Sequence, residues 1–520
     1  LASRAEPYRV IGKAAQTEAA TIQRMANGTN EGRELTSMET VDPKRLVRLG
    51  RAVVAPFRME VAKSGKVAPL ICKQIFRLLP GKRIVALAEF EGKDVLVKIF
   101  LGRMATRNKD RELAGVRLIA DADVRTPTLL WQGKSECGRS DILAFEYLPD
   151  AIGLFDRWRE ATGDDERVDI LTRAMIAIAR LHQKGIVQED IHLANFLLSK
   201  GRLFTIDGGG VSRITKGALP VGFSLHNLGW FFAQFYPRFD DFVSIVLPAY
   251  EAVRSWDADE RRVKMLQREV MRNRESRKKD YLDKVFRDCT RFACEKRFNR
   301  YQVCERSALD EDLLPILGDP DYHMAQGELL KDGNSATVAL VKTDNRSLVI
   351  KRYNLKGPGH AIRRAFRKSR AWTAWSNAYR MEFLGIRSLR PIAMIENRAG
   401  AIRGTAYLIT EYIEGVDALE CLRNTKKPNG ELEALAGILH ELSESTISHG
   451  DLKATNFLMA EGGPVIIDLD AMREHKTQAS FHRAFSKDLD RFMQNWKDQP
   501  EVASQFRGLL SEVNVAASAE

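Results

Sequence analysis

Cysteine is scarce in this chain: six in 520 residues, too few for a disulfide framework. Cys72, Cys137 and Cys421 stand apart. Cys289, Cys294 and Cys304 lie closer together, but their gaps fit no zinc-ligand spacing, and the segment around them reads as helix. Reduced thiols of a cytosolic protein are therefore expected. Long apolar runs are missing too. None approaches the roughly eighteen consecutive apolar residues of a membrane-spanning helix. The most apolar stretch, 228–247, is broken by Gln234, Arg238, Asp240 and Asp241. No signal-peptide pattern opens the sequence. At 44% hydrophobic and 29% charged residues, the composition is that of a globular protein, long enough for two domains.

Negative charge is in deficit, leaving a formal net charge of +12. The excess concentrates between Arg261 and Arg300, which reads as a basic helix. Such a surface suits polyanionic partners: nucleic acid, anionic lipid or a phosphorylated glycan. A solvated helix face is the plainer alternative. No nucleic-acid recognition motif accompanies the charge, so nucleic acid is not expected as a partner. Residues 69–79 alternate apolar and basic positions at roughly helical spacing, which reads as a membrane-surface or docking helix.

One set of residues appears twice, in the same order. The first copy is Ile186-Val-Gln-Glu-Asp190-Ile-His192-Leu-Ala-Asn195, followed by Phe204-Thr-Ile-Asp207. The second is Ile447-Ser-His449-Gly-Asp451-Leu-Lys453-Ala-Thr-Asn456, followed by Val465-Ile-Ile-Asp468. Upstream, each copy has a strand lysine (Lys98; Lys351), a helical Glu-x-x-Gly-[Val/Ile]-Arg (Glu112; Glu382), a strand ending in Glu-Tyr (Glu146; Glu411) and a helix with Leu-His (His182; His440). Phosphoryl transfer from ATP needs such a set. Asp190 and Asp451 would take the hydroxyl proton. Asn195, Asp207, Asn456 and Asp468 would hold Mg²⁺. Lys98 and Lys351, steadied by Glu112 and Glu382, would meet the phosphates, and Glu146 and Glu411 would mark the adenine hinge.

The expected fold is therefore α+β: two tandem protein-kinase-like domains, each with a small β-rich N-lobe and a helical C-lobe. The expected boundaries are an N-terminal extension over 1–75, domain 1 over 76–315 with a basic helical end, domain 2 over 316–505, and a tail over 506–520. The copies are unequal. Domain 2 has a glycine turn, Gly333-Asn334-Ser335, whose backbone can approach phosphate, and Lys453 beside the transferring group. Domain 1 reads as having no glycine turn beyond Gly92, carries His192 in place of Lys453, and has three glycines after Asp207. Those departures leave it nucleotide binding and put its turnover in question.

No Ala-Pro-Glu and no long activation segment follow Asp207 or Asp468, which suits a small or glycan acceptor better than a peptide. With Arg363-Arg364-Ala-Phe-Arg367, the tryptophan-rich approach from Ala371 to Glu382, His449-Gly-Asp451, Ile467-Asp468 and Lys487-Asp-Leu-Asp-Arg-Phe492, the chain resembles the bacterial lipopolysaccharide kinase family. These are sugar kinases of protein-kinase-like fold that act on heptose or 3-deoxy-manno-octulosonic acid (Kdo) of the lipopolysaccharide core. The likeness covers most of domain 2 and is less specific in domain 1; the tandem form departs from the family's single-domain members. The resemblance implies ATP and Mg²⁺ as cofactors and a glycolipid sugar hydroxyl as acceptor. It also implies peripheral attachment at the cytoplasmic face of the inner membrane, with the basic belts 261–300 and 363–370 attracting anionic lipid. A kinase with another acceptor, or a pseudokinase scaffold, are the competing readings; oligomeric state is not legible.

Overall fold

Alternate burial builds the first sheet. Within Arg83–Phe90, Ile84, Ala86, Ala88 and Phe90 are buried while their neighbours are less so, which is the period of a half-buried strand. In this computed structural model, residues 40–354, 368–425 and 428–511 are described. They form a mixed α+β protein that divides into two units: residues up to 274 without 236–238, and residues from 275 onwards together with 236–238.

The first unit has six strands, β1 (Phe57–Lys63), β2 (Lys66–Leu79), β3 (Arg83–Phe90), β4 (Lys93–Phe100), β5 (Leu129–Ser135) and β6 (Asp141–Glu146). They close into a barrel in the order β1-β2-β3-β4-β6-β5 around Val61, Leu70, Ile84, Val97 and Ile99. Residues 69–79, expected as a helix, belong to β2. The reason is visible in the pairing: the register with β3 shifts between Cys72 and Gln74 and again between Ile75 and Arg77. Two bulges break the period-two alternation, so the apolar positions mimic a helical pattern. A second reading changes with it. The turn between β2 and β3, at Gly81 (φ +65°), is a glycine turn one hairpin before the lysine strand β4. The first copy does have one.

The helix Ala105–Asp121 connects β4 to β5, and after the barrel come β7 (Ile152–Gly153), β8 (Ile186–Gln188), β9 (Phe196–Ser199), β10 (Arg202–Thr205) and β11 (Val211–Arg213). These strands form small sheets, β10-β9-β7 and β11-β8. The apolar stretch 228–247 is shared between the helices Val221–Phe232 and Phe242–Arg254. Among the described residues no helix is long and apolar enough to cross a membrane.

The second unit has a seven-stranded sheet of β12 (Phe292–Lys296), β13 (Arg300–Glu305), β14 (Glu328–Gly333), β15 (Ala336–Lys342), β16 (Ser347–Tyr353), β17 (Pro391–Ala399) and β18 (Ile402–Glu411). Its order is β12-β13-β17-β18-β16-β15-β14. Residues 292–305, expected in the basic helical end of domain 1, thus form the edge strand β12 and its neighbour β13 in the second sheet. Cys294 and Cys304 lie on them, not on a helix, and Cys289 precedes them. Aromatic packing holds this edge: Phe292 meets Tyr379 edge-on at 5.0 Å, and Trp375 Nε1 donates to Val285 O at 3.0 Å. The helices Asn429–Glu444 and Gln478–Met493 enclose Leu435, Leu439, Phe457, Phe492 and Trp496.

The paired Leu-His residues are not equivalent in space. His182 is buried between Tyr250 (2.8 Å) and Asn227 (3.0 Å), whereas His440 is exposed beside Glu444. Of the expected N-terminal extension, residues 1–39 lie outside those described, as do 512–520 of the tail, Arg363, Arg364 and Arg367.

The three glycines after Asp207 have a packing role. A Cβ on Gly115, inside the Ala105–Asp121 helix, would sit 1.9 Å from Gly208 O. Only glycine lets helix and loop meet there. Gly115→Ala should therefore destabilise the first unit by about 1–3 kcal/mol, whereas Gly437→Ala, on a helix with open space around it, should be neutral or stabilise by up to about 1 kcal/mol. Thermal unfolding of the two variants checks this; equal melting behaviour would contradict it.

Candidate active site

In the second unit, Lys351 projects from β16 and its Nζ lies 2.5 Å from Asp468 Oδ1 and 3.4 Å from Asp470 Oδ2. Asp468 has φ +60°, a left-handed conformation that aspartate tolerates better than most residues. Burial pushes its carboxyl pKa up, but the Lys351 charge and hydrogen bond outweigh this and hold it below the ordinary value. Asp470 is shifted the other way, raised by burial despite Lys351 and by the neighbouring Asp468. Arg370 reaches Asp470 at 2.7 Å.

The loop carrying Asp451 is fixed from beneath. Asp488, on the Gln478–Met493 helix, accepts from His449 N at 2.6 Å and from Gly450 N at 3.0 Å. Gly450 has φ +82°, and a Cβ there would lie 2.8 Å from Ala471 O. His449 is buried, which depresses its pKa, and its Nε2 pairs with Ile467 O at 3.2 Å. Asn456 Nδ2 donates to Asp451 O at 2.8 Å, and Ile467 N to Asn456 O at 2.9 Å. Asp451 itself is held by Lys453 Nζ (3.1 Å) and Arg491 Nη1 (2.5 Å). Gly333, Asn334 and Ser335 form the turn between β14 and β15. Asn354 braces it, Nδ2 donating to Gly333 O at 3.1 Å.

The expected Lys351–Glu382 pair is not made. Glu382 accepts from Tyr281 (2.6 Å) and is gripped by both terminal nitrogens of Arg291. Gly385, at φ +78°, caps the Arg370–Leu384 helix, so Glu382 falls in its last turn. Gly115 lies within its helix instead. The shared Glu-x-x-Gly spacing therefore lands on different turns, and Asp470 provides the second carboxylate that Glu382 was expected to supply.

The first unit makes the expected pair. Lys98 is buried and bonded to Glu112 Oε1, which also accepts from Gly208 N at 3.1 Å. The loop repeats the second unit's backbone pattern: Asn195 Nδ2 to Asp190 O at 2.7 Å, Ile206 N to Asn195 O at 2.8 Å, Asp207 at φ +65°. Gln188 Nε2 donates to Ile206 O at 3.1 Å, as His449 meets Ile467 O. Where Asp488 lies in one, Asn227 lies in the other, donating to Gln188 O at 3.0 Å. Asp190 points outward with His192 at 3.7 Å, whose hydrogen bond, opposed by burial, lowers its pKa. At the ends of β6 and β18, Glu146 accepts from Thr128 Oγ1 at 3.1 Å and Glu411 from Arg390 at 2.7 Å.

The two acid sets differ as cation sites. In the second unit, Lys351 takes Asp468 Oδ1, leaving Oδ2 and Asn456 Oδ1 without an ion pair or bond among the described residues. That pair of oxygens fits Mg²⁺. In the first unit both oxygens of Asp207 face cations: Oδ1 has Lys98 at 3.8 Å and Arg83 at 3.4 Å, and Oδ2 has Arg77 at 3.5 Å. A cation at Asp207 and Asn195 would meet these three charges.

Residues 321–511 match the lipopolysaccharide kinase (Kdo/WaaP) family. The match lies within the second unit, spans Lys351, Asp451, Asn456 and Asp468, and bears out the resemblance carried by the sequence there. That segment is therefore similar to a family of kinases, which implies phosphotransfer with ATP, usually with Mg²⁺. No curated protein matches the chain. Asp470, Arg370, Arg491 and the capping role of Asp488 were not anticipated. Asp-Leu-Asp470 and the Lys487-to-Phe492 run were the available signals.

If Asp470 rather than Glu382 is the partner of Lys351, Glu382→Gln should leave ATP affinity within about threefold of the unaltered protein. Lys351→Met should weaken it at least about tenfold. Isothermal titration of ATP into each variant decides; a large loss in Glu382→Gln would restore the expected pair.

Proposed function

We propose that the protein is an ATP-dependent phosphotransferase that phosphorylates a sugar hydroxyl, heptose or Kdo, of the lipopolysaccharide core. One observation carries the reading: the family match falls on the unit in which Asp451, Asn456, Asp468 and Lys351 converge. In this scheme Asp451 orients the acceptor hydroxyl and takes its proton, and Lys453 and Arg491 hold that carboxylate in place. Lys351 meets the ATP phosphates, and the turn at Gly333 to Ser335 lends backbone N–H groups. Asp468 and Asn456 hold Mg²⁺, which neutralises charge on the phosphates during transfer.

Both units are proposed to be kinase-like domains in tandem. The support is the repeated backbone pattern at Asp190/Asn195/Asp207 and Asp451/Asn456/Asp468. The second is assigned the turnover, because its aspartate loop is tied by a carboxylate and its Asp468 keeps an oxygen free. Asp451→Asn should lower kcat by several orders of magnitude with ATP affinity nearly unchanged. Phosphate transfer from labelled ATP to core glycolipid, compared with a generic protein under the same conditions, is the direct assay. Labelling of protein serine or threonine with none in glycolipid would refute the sugar assignment. Loss of activity in Asp190→Asn with retention in Asp451→Asn would reverse the ranking of the units.

Attachment is proposed to be peripheral, at the cytoplasmic face of the inner membrane. The basic belt supports this less broadly than its composition suggests. Arg274 is bound to Asp240, Arg262 to Glu251, Lys278 to Glu474 and Arg291 to Glu382 and Glu305. Arg370, from the second belt, is bound to Asp470. Arg261, Lys264 and Arg268 remain exposed on the Glu260–Lys284 helix. Replacing these three by glutamate should reduce sedimentation with anionic vesicles, and raised salt should do the same. Salt-insensitive binding would contradict it.

A further inference from the structure

The first unit contains a cavity of about 270 Å³ against its acid set, and its lining is cationic. Arg77, Lys82 and Arg83 enter from β2, the Gly81 turn and β3; Arg111 enters from the Ala105–Asp121 helix. Glu112, Asp190 and Asp207 are the carboxylates of the lining. Arg111 Nε donates to Gly209 O, so one guanidinium also braces the glycine loop. Arg83 touches both Glu112 (3.5 Å) and Asp207 (3.4 Å) through Nη1, while its buried Nε has no hydrogen-bond partner among the described residues. Around Asp207 and Glu112 three cations, Lys98, Arg83 and Arg77, face two carboxylates. In the second unit the corresponding cluster has, among the described residues, two cations, Lys351 and Arg370, for two carboxylates.

We propose that this cavity binds a ligand with clustered phosphate groups through Arg77, Lys82, Arg83 and Arg111, and that it does so without a divalent cation. Charge and geometry both favour this. A kinase cleft that relies on Mg²⁺ leaves carboxylate oxygens open for the metal. Here Asp207 is already saturated by ammonium and guanidinium groups, which repel a further cation and attract phosphate. Guanidinium groups pair with phosphate oxygens in bidentate fashion and stay charged at all accessible pH values. Lys82, at the turn between β2 and β3, adds a fourth cation to the same lining. Binding here depends only on the first unit, so it can fail without touching the proposed chemistry of the second.

The test uses the full chain carrying Lys351→Met and Asp468→Ala, to silence the second site, with a fluorescent N-methylanthraniloyl ATP as probe. Saturable binding in EDTA is expected, changed less than about threefold by Mg²⁺ and weakened at least about tenfold by Arg77→Ala with Arg83→Ala. Competition by ATP and by inorganic tripolyphosphate alike would assign the cavity to nucleotide phosphates. Preferential competition by a phosphorylated core oligosaccharide would assign it to glycan phosphates. Binding that requires Mg²⁺, that survives the double arginine replacement, or that is absent would overturn the proposal. Should the silenced chain misfold, hydrogen exchange on the unaltered protein decides the question instead. ATP in EDTA must slow exchange in residues 77–83 and 105–121, and failure to do so counts against the proposal.

Discussion

A lysine ammonium held at the base of a cleft needs a carboxylate, because desolvating an unpaired charge costs several kcal/mol. Both units meet that constraint, and most of each site's geometry follows from how. In the first unit the carboxylate comes from a helix: Glu112 is fully buried against Lys98 and also receives the glycine-loop N–H groups. Helix and loop must then approach closely, and Gly115 against Gly208 is the consequence. In the second unit the carboxylates come from the loop, Asp468 and Asp470. Its helix is joined to the loop by Asn377, which donates to Leu469 O and Met472 O.

The frame around the acids is held by groups that do not react. A left-handed aspartate, an asparagine bridging back to the loop aspartate, and a side chain on the strand-end carbonyl recur in both units. What varies is the support beneath. Asp488 accepts two backbone N–H groups with a full charge, whereas Asn227 offers an amide that serves Gln188 O and His182 at once. Charge-assisted bonds are the stronger kind. The difference is visible in the side chains above. Asp451 is 35% exposed and held by two cations, while Asp190 is 85% exposed with His192 3.7 Å away.

Features set by local spacing were legible in the sequence. Asp190, Asn195 and Asp207, with Asp451, Asn456 and Asp468, sit on short loops and hairpins whose geometry depends on a few adjacent residues. Lys98 and Lys351 sit on strands with clear alternation. Features set by tertiary pairing were not legible. Residues 69–79 lost their strand signature to two bulges, and the Gly81 turn was hidden with them. Glu382 shares a motif with Glu112, but its helix ends at Gly385, and a motif carries no information on where a helix stops. The basic belt read as a surface because its partners, Asp240, Glu251, Glu305 and Glu474, are not adjacent to it in the chain and show only in the folded protein.

The same separation of local from tertiary bears on how two copies of one frame diverge. Backbone bonds around the acid set are nearly superfluous to specify twice, since the loop sequences alone recreate them. Side-chain charge is freer to drift, because a guanidinium can replace a metal's positive charge without moving a strand. The first unit carries arginines at the end of β2, at the start of β3 and in the Ala105–Asp121 helix. The second leaves Asp468 Oδ2 without an ion pair among the described residues and sets arginines on Asp451 and Asp470. Among the described residues Asp207 and Glu112 face three cations, whereas Asp468 and Asp470 face two, so the acid sets of the two units differ chiefly in the charge around them.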